Sequence, residues 1–371
     1  MQGQRILLVS AGMGAGHDQC ARELARRFAE RGAEVRVVDL LALLPLRLGS
    51  ALRGFYGGML AHAPWLYSAI YRVFMASDSL RTGSESTGPQ RPARSRPLAR
   101  LGARALAPVV RGFAPTAVVS TFHLACQSVG ELRRRGVTGA PSIVVVTEMV
   151  AHAMWLGGGA DLYCCISESI ARRVRTATGA DAIGPGPLVD PRFLRDPDAR
   201  RTALAAGDDD TVLVSTGSWG IGDVFDTVTA LAAAPGVRPV ALCGRNARLH
   251  RRVAAVPGAT ALGWRDDMPA LLAGAAVLVD NAGGSMCMEA LAAGVPVVEY
   301  RPIAGHGVPV ARALVEHGLV TAADDAASLV RAVDALRPPG PRRSAQIERG
   351  TALFRADPAG EIVRWLKRRS G

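Results

Sequence analysis

Short apolar runs alternate with longer amphipathic stretches along most of the 371-residue chain. The apolar runs predict strands, and the stretches between them predict helices. In the first half, strands are predicted at residues 6–9, 34–38, 117–120, 142–147 and 162–166. In the second half they are predicted at residues 212–215, 239–243, 260–262, 276–279 and 295–299. Because strands that alternate with helices form parallel sheets with crossover helices, this pattern predicts an α/β protein with two Rossmann-like domains.

The same pattern predicts the domain boundaries. Residues 1–195 form the first domain, residues 205–355 form the second, and a linker lies within residues 191–206. Residues 356–371 form a C-terminal helix that carries Trp365 and ends in basic side chains. This helix either crosses back to the first domain or lies on a membrane, and the sequence leaves both options open.

One segment, residues 40–75, differs in composition from the rest of the chain. Aromatic residues make up only 5% of the protein, yet six of them fall in this segment: Phe55, Tyr56, Trp65, Tyr67, Tyr71 and Phe74. Arginines are interleaved with them, and an arginine-rich loop predicted to be mobile follows to residue 100. Aromatic rings and arginines together are typical of a segment at a membrane interface, which here spans residues 40–100. The alternative is that residues 40–75 form helices that cover the sheet.

Charge and composition narrow the possible partners and the compartment. The net charge of +12 indicates an anionic partner such as a membrane surface or a nucleotide substrate. Nucleic acid is not expected, because the chain carries no zinc-finger, RNA-binding or helix-turn-helix signature. No run is long enough to span a bilayer, and no signal peptide is expected, because the first predicted strand lies directly at the start of the sequence. The six scattered cysteines favour a reducing cytoplasm.

A glycine loop after the first predicted strand carries the first candidate for chemistry. Gly12, Gly14 and Gly16 precede His17 at the start of a helix, and Asp39 ends the next strand. This arrangement resembles a dinucleotide-binding fingerprint but does not match it, because the third glycine is Gly16 and histidine follows at position 17. An imidazole at the mouth of a parallel sheet is placed to accept a proton from an incoming hydroxyl, and the helix dipole favours its neutral form. The alternative is a histidine that caps the helix.

A second glycine turn lies in the second half, between a predicted strand and a helix. Gly283, Gly284 and Ser285 form the turn, and Glu289 follows one helical turn later. Exposed amide groups at such a turn favour an anion such as phosphate, and the glutamate is placed to accept hydrogen bonds from a ribose. The alternative is an ordinary strand-to-helix turn in which the glycines only allow close packing.

Taken together, four motifs resemble the monogalactosyldiacylglycerol synthase family, which is related to the bacterial N-acetylglucosaminyltransferase that makes lipid II. They are Ser-Ala-Gly-Met-Gly-Ala-Gly-His ending at His17, Thr-Glu-Met-Val-Ala-His-Ala-Met-Trp ending at Trp155, residues 281–289, and Pro-Ile-Ala-Gly-His ending at His306. The resemblance implies a GT-B fold, in which two Rossmann-like domains face each other across a cleft. It also implies a UDP-sugar donor on the C-terminal domain and a lipid acceptor on the N-terminal one.

The resemblance also implies roles for particular residues. His17 is the candidate catalytic base, with Glu148 as its rival or orienting partner. The acceptor side of the cleft would be formed by Gly14, Gly16, His152 and Trp155. The nucleotide and its sugar would contact Gly217, Ser218, Trp264, Met268, Gly283, Gly284, Ser285, Glu289 and His306. No cofactor and no metal ligand are implied, because the UDP-sugar is a substrate.

Several positions depart from the family pattern. Asn281 and Ala282 replace a Lys-Pro pair, which removes a positive charge near the diphosphate. Residues 305–307 read Gly-His-Gly where the family has a Gly-Gln-Glu motif for the donor sugar, and residues 308–310 are apolar where polar side chains are expected. Asp190 replaces an arginine, for which Arg192 is a candidate substitute. These departures affect the identity of the donor sugar more than the fold.

The sequence therefore predicts a hexosyltransferase that uses a UDP-sugar and a lipid or other hydrophobic acceptor. The reaction is expected to be inverting and metal-independent, and the protein is expected to lie in the cytoplasm on the inner face of the cell membrane. Two alternatives remain, a UDP-sugar epimerase of the same fold and a non-catalytic membrane-associated GT-B protein. The epimerase would not need the aromatic segment.

Overall fold

The computed structural model describes residues 1–72, 96–194, 211–215 and 220–370. The chain forms two compact units. The first comprises Met1–Met59, Leu66–Leu188 and Phe354–Gly371, and the second comprises Leu60–Trp65 and Val189–Leu353. Several predictions fall outside the described residues, namely those for Phe74, Gly217, Ser218, most of the loop 76–100 and most of the linker 191–206.

The first unit is built on a six-stranded parallel sheet. Its strands are β1 (Arg5–Ser10), β2 (Glu34–Asp39), β3 (Ala117–Ser120), β4 (Ser142–Val145), β5 (Leu162–Cys164) and β6 (Asp181–Ile183), in the order β2-β1-β3-β4-β5-β6. The accompanying helices are α1 (Ala15–Glu30), α2 (Leu40–Leu43), α3 (Leu48–His62), α4 (Pro64–Ile70), α5 (Arg96–Phe113), α6 (His123–Arg134), α7 (Ala153–Leu156) and α8 (Glu168–Thr178). Side chains alternate along β1, so Leu7 and Val9 pack against α5 and α6, while Ile6 and Leu8 pack against α1.

The second unit repeats this plan. Its strands are β7 (Thr211–Ser215), β8 (Arg238–Leu242), β9 (Thr260–Leu262), β10 (Val277–Asp280), β11 (Val297–Tyr300) and β12 (Thr321–Ala323), in the order β12-β11-β10-β7-β8-β9. Its helices are α9 (Val224–Ala232), α10 (Ala247–Ala254), α11 (Met268–Ala273), α12 (Ser285–Ala292), α13 (Gly307–Glu316), α14 (Ala326–Leu336) and α15 (Pro341–Ala352). This strand order is that of a dinucleotide-binding Rossmann fold, so the predicted α/β class with two Rossmann-like sheets is confirmed.

The C-terminal helix α16 (Pro358–Ser370) belongs to the first unit, which decides between the two options that the sequence left open. Ile362 and Trp365 are buried against the β1–β3–β4 face of the sheet. The Trp365 indole donates to Asp181 Oδ2 at 2.7 Å, and Asp357 pairs with Arg27 and Arg31 of α1. The apolar face of α16 is therefore covered by protein.

The aromatic segment contains both buried and exposed side chains. Tyr67 and Tyr71 are buried, as the core-helix alternative predicts. Leu46, Phe55 and Trp65 instead expose 98%, 59% and 71% of their surface, so they do not cover the sheet. Leu46 stands in a 3₁₀ turn, Pro45–Arg47, where it has a left-handed φ of 54° that is strained for leucine. Within the described ranges, no helix is long and apolar enough to cross a membrane.

Candidate functional site

In each sheet, the chain order reverses between two neighbouring strands. The reversal lies between β1 and β3 in the first unit, and between β7 and β10 in the second. The loops that leave the carboxyl ends of such strands diverge and form a crevice, which is the usual ligand site of an open α/β sheet. The predicted site residues His17 and Gly283 both follow one of these strands.

His17 lies in the first turn of α1, and its imidazole contacts the connection between β3 and α6. Its Nδ1 is 2.8 Å from the carbonyl oxygen of Thr121 and 3.2 Å from the hydroxyl oxygen of Thr147. A carbonyl oxygen only accepts hydrogen bonds, so Nδ1 carries the proton. The lone pair of Nε2 is then free to accept a proton. His17 does not cap α1, because the N-cap position is Gly14 and the imidazole bonds elsewhere.

The surroundings of His17 favour the neutral imidazole. Burial lowers its pKa below 6.5, although the hydrogen bond to Thr121 and the charge of Asp18 act in the opposite direction. The ring of Phe122 lies edge-on at 5.1 Å between centroids, and Trp155 lies at 6.2 Å. A neutral imidazole with a fixed tautomer is what a general base at neutral pH needs.

His123, which sequence reasoning missed, completes a cluster of three imidazoles. Its ring centroid lies 5.2 Å from that of His152, and burial with the nearby His152 and His17 holds its pKa well below 6.5. Its Nδ1, and the indole nitrogen of the fully buried Trp155, have no hydrogen-bond partner among the described residues. His123 begins α6 after β3, and His17 lies in the first turn of α1 after β1, but the sequence alone does not show that these two strands are neighbours.

Glu148 follows Thr147, whose hydroxyl contacts His17, and it lies near tyrosines of the aromatic segment. Burial raises its pKa to about 7, and its charge in turn contributes to the raised pKa values of Tyr56 and Tyr67. Tyr71 contacts His152 with ring centroids 6.4 Å apart. The aromatic segment therefore supplies tyrosines to the same site as the predicted base.

The surroundings of Gly14, Gly16 and Asp39 bear on the hypothesis that the loop after β1 binds a dinucleotide. At Gly14, no heavy atom of the described residues lies within 4 Å of where a Cβ would stand, and Gly16 lies in the first turn of α1. Asp39, the ribose ligand in that hypothesis, instead accepts from the Leu41 amide as the cap of α2 and pairs with Arg53. Asp39 therefore already has structural partners at both oxygens, and the dinucleotide hypothesis gains no support from its contacts.

In the second unit, the turn after β10 contains one glycine that close packing requires and a second glycine that lies beside open space. Asp280 Oδ2 accepts from the amides of Ala282 and Gly283 at 3.2 and 2.7 Å. Gly283 has a φ of 58°, and a Cβ there would lie 2.6 Å from Val310, so packing demands glycine. At Gly284, by contrast, no described atom lies within 4 Å of a Cβ position. Gly284 and Ser285 therefore leave open space at the start of α12, where an anion can approach the amides.

Glu289, Trp264 and Met268 lie in the same unit. Glu289 is 5% exposed, and burial, followed by the charge of Asp190, raises its pKa to about 8. Trp264 is exposed, with the Arg245 guanidinium 4.5 Å from its ring centroid, and Met268 begins α11. A protonated carboxyl can donate to and accept from ribose hydroxyls, and an exposed indole face can stack on a base.

The positions that depart from the family pattern have structural roles here. The Asn281 amide donates to the Ile221 carbonyl at 3.0 Å and so links the two loops at the strand reversal. Val310 packs against Gly283, which explains an apolar residue there. Arg192 is paired with Asp190 at 2.8 Å. His306 lies at the N-cap position of α13.

A buried acidic pair, also missed by sequence reasoning, lies beneath the turn. Asp280 and Glu299 face each other in adjacent strands, and both are at most 2% exposed. Burial raises the pKa of both, and the charge of Asp280 raises that of Glu299 further, to about 10. Over the residues that the structure describes, no group of three or more His, Cys, Asp or Glu side chains is placed to hold a metal ion.

The chain is similar in sequence and in structure to several known glycosyltransferases. The monogalactosyldiacylglycerol (MGDG) synthase family profile matches residues 17–182. A processive diacylglycerol beta-glucosyltransferase of Bacillus mycoides is 23% identical over 97% of this chain and 92% of its own length. The kitacinnamycin glycosyltransferase has a similar structure, with a TM-score of 0.65 at 18% identity over 99% of this chain and 100% of its own. MurG of Acinetobacter baumannii has a TM-score of 0.58 at 15% identity over 98% and 99%.

Proposed function

We propose that this chain transfers a hexose to a lipid or other hydrophobic acceptor. The premise is that it is a UDP-sugar glycosyltransferase of the GT-B fold and that it resembles the monogalactosyldiacylglycerol synthases. The observation that carries this proposal is the neutral imidazole of His17 at the strand reversal of the first unit, with its proton on Nδ1. An acceptor hydroxyl bound beside Nε2 would lose its proton to that atom as it attacks the sugar.

The donor half of the reaction falls to the second unit. The open amides at Gly284 and Ser285 would bind the diphosphate, Glu289 the ribose, and Trp264 with Met268 the uracil. As the sugar–oxygen bond breaks, negative charge develops on UDP, and the amide groups at the start of α12 are oriented to stabilise it. Attack from the face opposite the leaving UDP inverts the anomeric centre. We place no metal ion in this mechanism, because amide and guanidinium groups can carry the charge compensation.

Glu148 has a separate role in this proposal. Its pKa of about 7 lets it exchange protons near neutral pH, so it is the alternative base or a group that orients the acceptor. The buried Tyr67 and Tyr71, together with Trp155 and His152, give the acceptor subsite an apolar wall with polar edges. Such a wall suits a hydroxyl on a hydrophobic molecule.

Membrane binding is proposed from the exposed side chains of the aromatic segment. Leu46, Phe55 and Trp65 would enter the interface while arginines meet anionic lipid headgroups, on the cytoplasmic face of the cell membrane. Flotation with liposomes of phosphatidylglycerol and phosphatidylcholine tests this proposal. The Phe55→Ser, Trp65→Ser double variant should remain at the bottom of the gradient where the wild type floats. Equal flotation of both would contradict the assignment.

One experiment tests the reaction itself. The protein is incubated with UDP-glucose, UDP-galactose, UDP-N-acetylglucosamine or UDP-glucuronate and with liposomes that contain diacylglycerol, and the lipids are analysed by mass spectrometry. A lipid-linked hexose and released UDP support the proposal, and the productive donor identifies the sugar. Interconversion of the UDP-sugars without transfer would indicate an epimerase. A protein that binds neither UDP nor any UDP-sugar would indicate a non-catalytic role.

A further inference from the structure

The donor turn, which comprises residues 280–285 after β10, contains no cationic side chain of its own. The diphosphate of a UDP-sugar carries about two negative charges, yet Asp280, Asn281 and the three residues that follow include no arginine or lysine. The side chain of Asn281 is engaged with the Ile221 carbonyl, and the buried Asp280 and Glu299 lie nearby. Open amides alone would therefore have to hold the diphosphate, unless a neighbouring segment supplies positive charge.

Arg301 is a cation that the fold brings to this edge, next to the turn after β10. It is the first residue after β11, the strand that pairs with β10, and it precedes Pro302. Its φ of 49° lies in the left-handed region, which is sparsely populated by residues other than glycine. Strain of this kind is retained when the surrounding structure enforces it, and it is concentrated at functional sites.

Hydrogen bonds hold this strained segment against the donor turn. The amide of Ile303, two residues after Arg301, donates to the carbonyl oxygen of Asn281 at 2.7 Å. The guanidinium extends to the loop on the other side of β10, where Nη1 lies 3.2 Å from Asp223 Oδ2. Its Cζ lies 5.1 Å from the ring centroid of Tyr300. Arg301 therefore lies beside the two loops that flank the strand reversal.

The ion pair with Asp223 is suited to exchange for another anion. The two side chains are 42% and 61% exposed, and solvent-exposed pairs of this kind contribute little to stability. A guanidinium matches the oxygens of a phosphate with paired hydrogen bonds, which are stronger than an exposed pair with a carboxylate. An incoming phosphate can therefore take the place of Asp223 at little cost.

We propose that Arg301 binds the diphosphate of the UDP-sugar and that Asp223 holds the guanidinium in position while the donor site is empty. This inference rests on the proposed function, because it assigns a further residue to the same donor site. Arg301 would thereby supply the positive charge that Asn281 does not.

The test is calorimetric titration of Arg301→Met with UDP and with uridine, which shares the base and the ribose but has no phosphate. We expect the Kd for UDP to rise roughly 10- to 100-fold and the Kd for uridine to stay unchanged, because the lost contacts are charge-assisted hydrogen bonds to phosphate. Arg301→Lys should recover part of the affinity, and Asp223→Asn should bind UDP at least as tightly as the wild type. Arg312→Met, which removes a more exposed arginine paired with Glu316 on α13, is the control and should bind like the wild type.

Two results would overturn the inference while leaving the proposed function intact. One is wild-type affinity of Arg301→Met for UDP. The other is an equal loss of affinity for UDP and uridine, which would mean that Arg301 only maintains the loop. A wild-type protein that does not bind UDP would overturn both the inference and the proposed function.

Discussion

The buried carboxyl of Glu299 offers a quantitative test of how the donor half is built. Glu299 is 2% exposed, and neither of its oxygens has a hydrogen-bond partner among the described residues. Burial and the charge of Asp280 raise its pKa from 4.5 to about 10. At neutral pH the folded protein therefore keeps a proton on Glu299 that the unfolded chain releases. Glu299→Gln replaces this carboxyl with a neutral amide of nearly the same shape.

The expected size of the effect follows from proton linkage. Between pH 4.5 and about 10, the folded state binds one more proton at this position than the unfolded state does. The free energy of unfolding therefore falls as the pH rises, by up to about 1.4 kcal/mol per pH unit. Glutamine does not titrate. From pH 5.5 to pH 8.5, the stability of Glu299→Gln relative to the wild type should rise by up to about 4 kcal/mol.

Native-state hydrogen exchange of the amides in β10 and β11 is the appropriate assay. It reports the opening free energy of the second unit, whereas a single unfolding transition is not expected of a two-unit chain. Glu316→Gln, which changes an exposed carboxylate of α13, is the control for the effect of a Glu-to-Gln substitution itself. A constant difference for Glu299→Gln across this range would refute the reasoning, because it would mean that the folded protein holds Glu299 ionised.

Three further predictions concern the two sites. His17→Ala should lower kcat by about 10²- to 10⁴-fold with an unchanged Kd for UDP, and full turnover in a transfer assay would refute its role as base. Gly284→Ala should weaken UDP binding without loss of stability, whereas Gly283→Ala should lower the free energy of unfolding by about 1–3 kcal/mol. Titration with UDP measures the first effect and thermal denaturation measures the second. The reverse pattern would contradict the geometry. If the carboxylate of Glu148 is required, kcat/KM should rise through about pH 7, and Glu148→Gln should abolish that rise.

Much of the fold follows from local pattern. Eight of the ten predicted strands are shifted by one or two residues at one or both ends, because pairing and not hydropathy sets where a strand stops. The short edge strands β6 (Asp181–Ile183) and β12 (Thr321–Ala323) were not predicted. Three residues at the edge of a sheet carry little apolar signal, although β9 (Thr260–Leu262), an edge strand of the same length, was predicted at its observed bounds.

The candidate site was predicted only in part, for a related reason. Motif resemblance identified His17, Glu148 and Glu289, whose residue types carry the chemistry. It did not identify His123, because a single histidine after a strand is informative only once β1 and β3 are known to be neighbours. Nor did it identify Arg301, whose proposed role is argued from a strained backbone and a contact with Asp223, 78 residues earlier in the chain.

The sequence by itself determined the α/β class, the two Rossmann-like sheets and the kind of chemistry, because periodicity, turn glycines and motifs are local properties of the chain. Only the tertiary structure decided how those residues act. The tautomer of His17 depends on a carbonyl 104 residues away, and the protonation of Glu299 depends on its burial beside Asp280. Burial and long-range pairing set the proton affinities and hydrogen bonds, and neither is encoded in any short stretch of sequence.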